Sequence, residues 1–311
     1  MPKKNMIISG TLLILLAMCN TSFAQGAGDQ YVRNSLKMLL TANTIECDLR
    51  IETFVDGREY PAIGSYKEQA LQRTAPGQPT PFLRSMYRLD IMFFPSTSGA
   101  ASNAEPNRMT LVCHPGIDGQ RGQVERQTYV EGVRSFKTID LTRLEQRLQE
   151  TNNELYFTQV SEVRNLGGLA GMMRQIARFY EFETHGHENL QNGEMIPALK
   201  LTGKLRAVLH SDLLKRFGGL DKQKNYPADF PSDMELWLGR INEFPYKIRY
   251  LRRISEHSEQ KELLFQETFT NVIVNGTPIP ASQFAPLPPP DDVFMDDPDD
   301  TDNFIIRALG L

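Results

Sequence analysis

The sequence predicts an α+β fold, an incomplete antiparallel β-barrel in which a strongly curved sheet has helices covering its concave face. Three observations predict it. Several segments alternate apolar and polar residues with a period of two, which places one apolar face on each strand. Asp56-Gly57, Asp118-Gly119, Asn192-Gly193 and Asn275-Gly276 punctuate those segments with residues that tolerate the positive φ of a tight turn. Three or four stretches of helical spacing then supply cover for an apolar sheet face that must be buried against something.

Taken in order, Lys3 and Lys4 precede the apolar run Met6 to Met18, and Ser22-Phe23-Ala24 offers small residues for cleavage. Residues 1–24 therefore read as a signal peptide, 25–285 as one folded domain and 286–311 as a proline-rich and acidic tail. The apolar run is too short to span a bilayer, so no transmembrane span is expected after cleavage. Leu16-Ala17-Met18-Cys19 also has the outline of a lipid-attachment signal, but methionine stands where a small residue is required, so plain secretion is the expected fate.

Val32, Leu36, Leu39 and Leu40 follow helical spacing behind Asp29, a candidate N-cap. Ile45, Cys47, Leu49 and Ile51 then alternate with Glu46, Asp48, Arg50 and Glu52 in a strand that Asp56-Gly57 turns back through Gly64-Ser65-Tyr66. A third strand is expected over Phe82–Phe94, with Leu83, Tyr87, Leu89, Ile91 and Phe93 sharing a face, and a fourth over Met109–Cys113. Gln127–Val130 and Val133–Ile139 form a hairpin about Glu131-Gly132, after which Leu141, Leu144 and Leu148 switch to helical spacing.

Leu169, Met172, Met173, Ile176, Phe179 and Tyr180 make a broad apolar helical stripe entered through Gly167 and Gly168. It reads as a lid over the sheet or as ordinary core. Strands follow at Phe182–Leu190 and Met195–Leu205, then a helix over Val208–Phe217 that ends at Gly218-Gly219. Tyr246, Ile248 and Tyr250 alternate with Lys247 and Arg249, and Leu263, Phe265, Phe269 and Ile273 repeat the pattern in the last strand. Beyond Pro286, the acidic stretch is expected to be extended apart from the apolar end Phe304–Leu309, and dispensable for the fold.

The charge distribution narrows the function. Net charge is −4, and seven acids fall between Asp291 and Asp302 with no base among them, leaving a nearly neutral body. Such a body has no basic stripe for a nucleic acid. His185-Gly186-His187-Glu188 is the one cluster suggestive of a metal, with His114 the candidate third ligand, but exposed loop histidines are the commoner reading and no metal or other cofactor is expected. No Gly-x-Ser-x-Gly elbow, phosphate loop or His-Glu-x-x-His helix is present. The chain is accordingly not expected to be an enzyme. Cys47 and Cys113, in an oxidising compartment, predict a disulfide, with two buried free thiols as the alternative.

The order of an N-terminal helix, the strand IECDLRIET, the return strand with Gly64-Ser65-Tyr66, a mid-chain apolar helix, Leu236-Trp237-Leu238 followed by Pro245-Tyr246-Lys247, and a last strand leading to Phe284 resembles the lipoprotein-carrier superfamily. That group includes LolA-type carriers and LppX- and LprG-type lipid carriers, and the version here looks most like secreted homologues of planctomycete type. The resemblance covers roughly Asp29 to Phe284. It implies a half-barrel that shelters a lipid or acyl chain under helices without covalent chemistry, in a periplasmic or secreted protein. Envelope lipoproteins or membrane transport components are the partners it implies. An interaction or sensor domain of the same fold with a self-filled core is the alternative.

The faces of the expected elements name the cavity and lid residues. Leu49, Ile51, Tyr66, Tyr87 and Leu89 come from the first strands, and Leu169, Met172, Met173, Ile176 and Phe179 from the lid. Trp237, Tyr246 and Ile248 come from the last strands.

Overall fold

The computed structural model describes residues 27–71, 85–95, 106–115, 122–144, 146, 168–192, 194–287 and 299–304. The signal peptide with Cys19, the Asp118-Gly119 turn, Leu148, Gly167 and most of the tail lie outside the described residues.

Helix α1 (Asp29–Thr41) leads into strands β1 (Thr44–Val55), β2 (Arg58–Ala70), β3 (Ser85–Phe93), β4 (Asn107–His114), β5 (Gln123–Val130) and β6 (Val133–Asp140). Helix α2 (Gly168–Phe179) then runs directly into β7 (Tyr180–Asn192), which is followed by β8 (Glu194–Leu205) and α3 (Ala207–Arg216). Strands β9 (Asp233–Gly239), β10 (Pro245–Arg253) and β11 (Lys261–Val274) and a 3₁₀ turn (Ala281–Phe284) complete the order. The strands form one antiparallel sheet ordered β6-β5-β4-β3-β2-β1-β11-β10-β9-β8-β7. Two meanders thus meet where β11 pairs with β1, and the sheet stays open because its edge strands β6 and β7 do not pair with each other. This is the α+β, curved open sheet that the alternation predicted.

Tight turns enforce the meanders. Asp56 and Gly57 lie at φ 50° and 73°, and Glu131 and Gly132 at φ 50° and 83°, the paired left-handed geometry that matches strand twist in a two-residue hairpin. Asn275 (φ 57°) behaves differently, because it ends β11 by bonding back to the start of β1 rather than opening a new strand.

The inner face carries the main core, including Leu49, Tyr66, Leu89, Leu111, Leu236, Ile248 and Phe269, covered by α1 and α2. At Gly64 on this face, an added Cβ would lie 2.3 Å from the Asp90 carbonyl oxygen, so only glycine permits the close approach of β2 to β3. The outer face of β2 to β5 is covered by the chain after β11: Ile279, Phe284 and Leu287 are buried there, and the Leu287 amide donates to Glu125 Oε2 at 2.6 Å.

Four expectations are corrected. Asp29 is not the N-cap, which is Gly28; its carboxylate instead accepts the Phe182 amide (2.8 Å) and pairs with Arg206 (2.8 Å), tying α1 to β7 and to the start of α3. Ile273 leaves the inner face because an extra residue about Asn271 (φ 51°) bulges β11 and reverses the side-chain parity beyond it. It is 53% exposed. Cys47 and Cys113 are both buried and form no disulfide, because β2 and β3 intervene between β1 and β4. Three strand spacings of roughly 4.8 Å hold them about 14 Å apart, twice the reach of a disulfide. Alkylation of the unfolded chain without reductant is expected to label both thiols; a cross-linked peptide pair would contradict this register.

The fourth correction concerns the acidic tail, because residues 299–304 are docked. Asp299 bridges the β6 edge at Thr138, the Asp300 amide donates to Thr138 O (2.9 Å), and Phe304 is buried in the main core. The arginines that hold this segment, Arg126 and Arg143, lie more than a hundred and fifty residues earlier, so local composition does not reveal the contact.

At one end of β9 to β11 an ionic knot about the buried Asp233 ties the three strands together. Asp233 accepts from Ser232 Oγ (2.8 Å), Arg253 Nη2 (2.7 Å) and Lys261 Nζ (2.8 Å). Burial pushes its carboxyl up, but Arg253, Lys261 and Ser232 outweigh burial and hold it below the ordinary aspartate value. Its contribution to stability is therefore present above about pH 4, the unfolded aspartate value, and lost as the pH falls through the lower folded value. Urea unfolding of Asp233→Asn should show a large deficit against wild type at pH 7 that narrows at pH 3. A deficit that stays constant with pH would contradict the assignment.

Candidate functional site

The candidate site lies where the N-terminus of α2 meets the inner face. Glycine begins the helix because Gly168 sits at φ 56° and a Cβ there would fall 2.2 Å from Tyr66 Oη. That hydroxyl accepts the Leu169 amide at 3.1 Å and donates to Glu68 Oε2 at 2.5 Å, while Ser85 Oγ donates to Glu68 Oε1 at 2.5 Å. One of the helix's otherwise unpaired N–H groups is thereby satisfied from the sheet. Burial raises the Tyr66 hydroxyl well above its ordinary value, with the Glu68 charge adding to it, and burial also raises the Glu68 carboxyl against the lowering effect of Ser85 and Tyr66. Tyr66 stacks on Tyr87 with ring centroids 6.1 Å apart. Beside them, burial pushes the Cys113 thiol up, which disfavours its thiolate.

Leu49, Tyr66, Leu89, Gly168, Leu169 and Glu267 enclose a cavity of about 10 Å³, room for a single water. Four of the residues expected from the sequence, Leu49, Tyr66, Leu89 and Leu169, therefore line one space. Ile51, Tyr87, Met172, Met173, Ile176, Phe179, Tyr246 and Ile248 belong to the same apolar core but pack around that space rather than against it.

Trp237 is not with them. It pairs with Lys200 and Lys247 on the outer face, whereas its neighbours Leu236 and Leu238 point inward. Lys200, Lys247 and Arg249 lie 4.9, 5.1 and 5.3 Å from its ring centroid, and its indole N–H donates to Glu188 Oε2 at 2.8 Å. Burial lowers the Lys247 ammonium, and Arg249 lowers it further. The Leu-Trp-Leu run is apolar on both faces, so periodicity alone does not assign the indole. Its emission reports the outer face rather than the cavity.

Sequence reasoning missed Glu68, Ser85 and Glu267. Glu267 is 1% exposed at an inward position between Phe265 and Phe269, and a charge interrupting an apolar alternation was the signal that marked it. The histidines do not converge. His185 and His187 are exposed on edge strand β7, with a bulge between Thr184 and Gly186, whereas His114 lies on β4 in the other half of the sheet. Among the described residues no group of three or more His, Cys, Asp or Glu side chains has the arrangement to hold a metal ion. No helix among them is long and apolar enough to cross a membrane.

No protein-family model matches the sequence, and no curated protein matches it. Solved structures do. A DUF1329 family protein from Desulfovibrio piger is 8% identical over 84% of this chain and 98% of its own, with a TM-score of 0.34. Lipoprotein LppX from Mycobacterium tuberculosis is 11% identical over 79% of this chain and 94% of its own, with a TM-score of 0.36. A chain of the Pseudomonas aeruginosa MucA/MucB complex is 15% identical over 83% of this chain but 60% of its own, with a TM-score of 0.36. The planctomycete likeness finds no support among these three. At such identities and TM-scores these likenesses assign this chain neither a family nor a function.

Proposed function

We propose that this protein is a non-catalytic carrier that shelters an acyl chain or lipid on the inner face of its sheet, in the periplasm or outside the cell. The observation that carries the reading is the inner face itself. It is an apolar surface continuous from β4 to β9, covered by two helices, with an apolar-walled cavity at the seam between α2 and the sheet. The work is desolvation, in which each methylene moved out of water contributes about 0.8 kcal/mol, so a partly enclosed chain binds usefully. Helix α2 is a fixed cover on this account. Tyr66 holds its first turn and its last residue continues into β7. Residues 25–285 form the carrier unit, and envelope lipoproteins or membrane transport components are its proposed partners.

A second reading, an interaction domain with a self-filled core, is favoured by one observation: the cavity of about 10 Å³ is far below what any acyl chain occupies. Titration with a fluorescent fatty acid separates the two. The carrier binds it saturably with one site per chain, and the self-filled domain gives only a linear, non-saturating response.

A further inference from the structure

The docked end of the chain has the chemistry of a ligand. Residues 299–304 present carboxylates followed by a ring. Arg143, in the helical turn after β6, contacts Asp299 and Asp302 at 2.8 Å each, and Arg126, on the inner face of β5 opposite Leu111, pairs with Asp300 at 3.7 Å. Four residues beyond, Phe304 is 1% exposed within the main core. The segment is short and its backbone touches the sheet at one bridge, Thr138 with Asp299, supplemented by the Asp140 amide donating to Thr301 Oγ1 at 2.9 Å. Ion pairs between partly exposed groups are weak and screened by salt. The two Arg143 pairs are of this kind, whereas Asp300 and Phe304 are buried, so a competitor must supply both a carboxylate and an apolar chain to replace the segment.

We propose that Arg126, Arg143 and the inner-face position filled by Phe304 form a binding site for an acyl chain with a carboxylate head, which residues 299–304 occupy when no ligand is present. The inference rests on the carrier reading and adds the head-group chemistry and the point of entry. The ligand's carboxylate takes the arginines from Asp299, Asp300 and Asp302, and its chain takes the place of the Phe304 ring. Arginine suits the role, since its charge is permanent and its several N–H groups donate to more than one carboxylate oxygen, as Arg143 does to Asp299 and Asp302.

The test uses the full chain, cis-parinaric acid and its uncharged methyl ester, with amide hydrogen exchange as a second readout. Wild type is expected to bind the acid about tenfold tighter than the ester, the value of one hydrogen bond to a charged partner. Arg126→Gln with Arg143→Gln should erase that difference. Asp299→Asn, Asp300→Asn and Asp302→Asn together should tighten both probes and lower protection of the Asp300 and Phe304 amides. Saturating wild type with the acid should lower the same protection. Saturable binding with equal affinity for acid and ester, or with tail protection unchanged at saturation, would overturn this site and leave the carrier reading intact. No binding of either probe by wild type or by the triple variant would overturn both.

Discussion

Ile176→Glu is expected to lower stability by about 4 kcal/mol or more, because it places an unpaired carboxylate in a fully packed apolar layer. Ile176 is 1% exposed, on a helix whose Leu169, Met172, Met173 and Phe179 are buried beside it. A swinging lid would tolerate the charge by staying open. Helix α2 lacks that option, since Tyr66 Oη holds its first turn at 3.1 Å and β7 begins at the residue after its last. In a chain of this size the loss corresponds to a fall in midpoint of roughly 10 °C. Thermal and denaturant unfolding of the variant measure it directly. A near-wild-type midpoint would show that α2 leaves the sheet, and the fixed-cover description would then be wrong.

Gly168→Ala should cost about 2–3 kcal/mol, combining roughly 1–2 kcal/mol of left-handed backbone strain with the loss of a buried hydrogen bond worth about 1 kcal/mol. The new Cβ meets Tyr66 Oη at 2.2 Å, and that hydroxyl cannot retreat without abandoning the Leu169 amide and Glu68 together. A double-mutant cycle isolates the contact. Tyr66→Phe alone removes both bonds, and in the Gly168→Ala background it also removes the collision, so the pair should cost less than the sum of the single changes. Strict additivity would mean that the penalty lies in φ alone, with the hydroxyl playing no part.

Much of the fold was legible because β1 alternates cleanly from Ile45 to Glu52, and because Asp56-Gly57 adopts the backbone angles its sequence favours. The inward set from Leu49 to Leu89 followed from that alternation. Four features were not legible, each for a physical reason. A bulge inverts every residue beyond it, and nothing local to Asn271 announces which side Ile273 will take. Trp237 is buried on the outer face by the alkyl stems and charges of Lys200, Lys247 and Arg249, which come from β8 and β10. The tail reads as solvated because its partners Arg126 and Arg143 are distant in sequence. Glu68 looks like an ordinary outward charge until register places it beside Gly168 of α2.

The central claim is that the inner face holds an acyl chain or lipid, and native mass spectrometry of the protein purified from its own host tests it most directly. The account predicts a population heavier than the polypeptide by the mass of an acyl lipid, which gentle collisional activation releases as an intact ion. A single species at the polypeptide mass, unchanged after incubation with extracted host lipids, would contradict it.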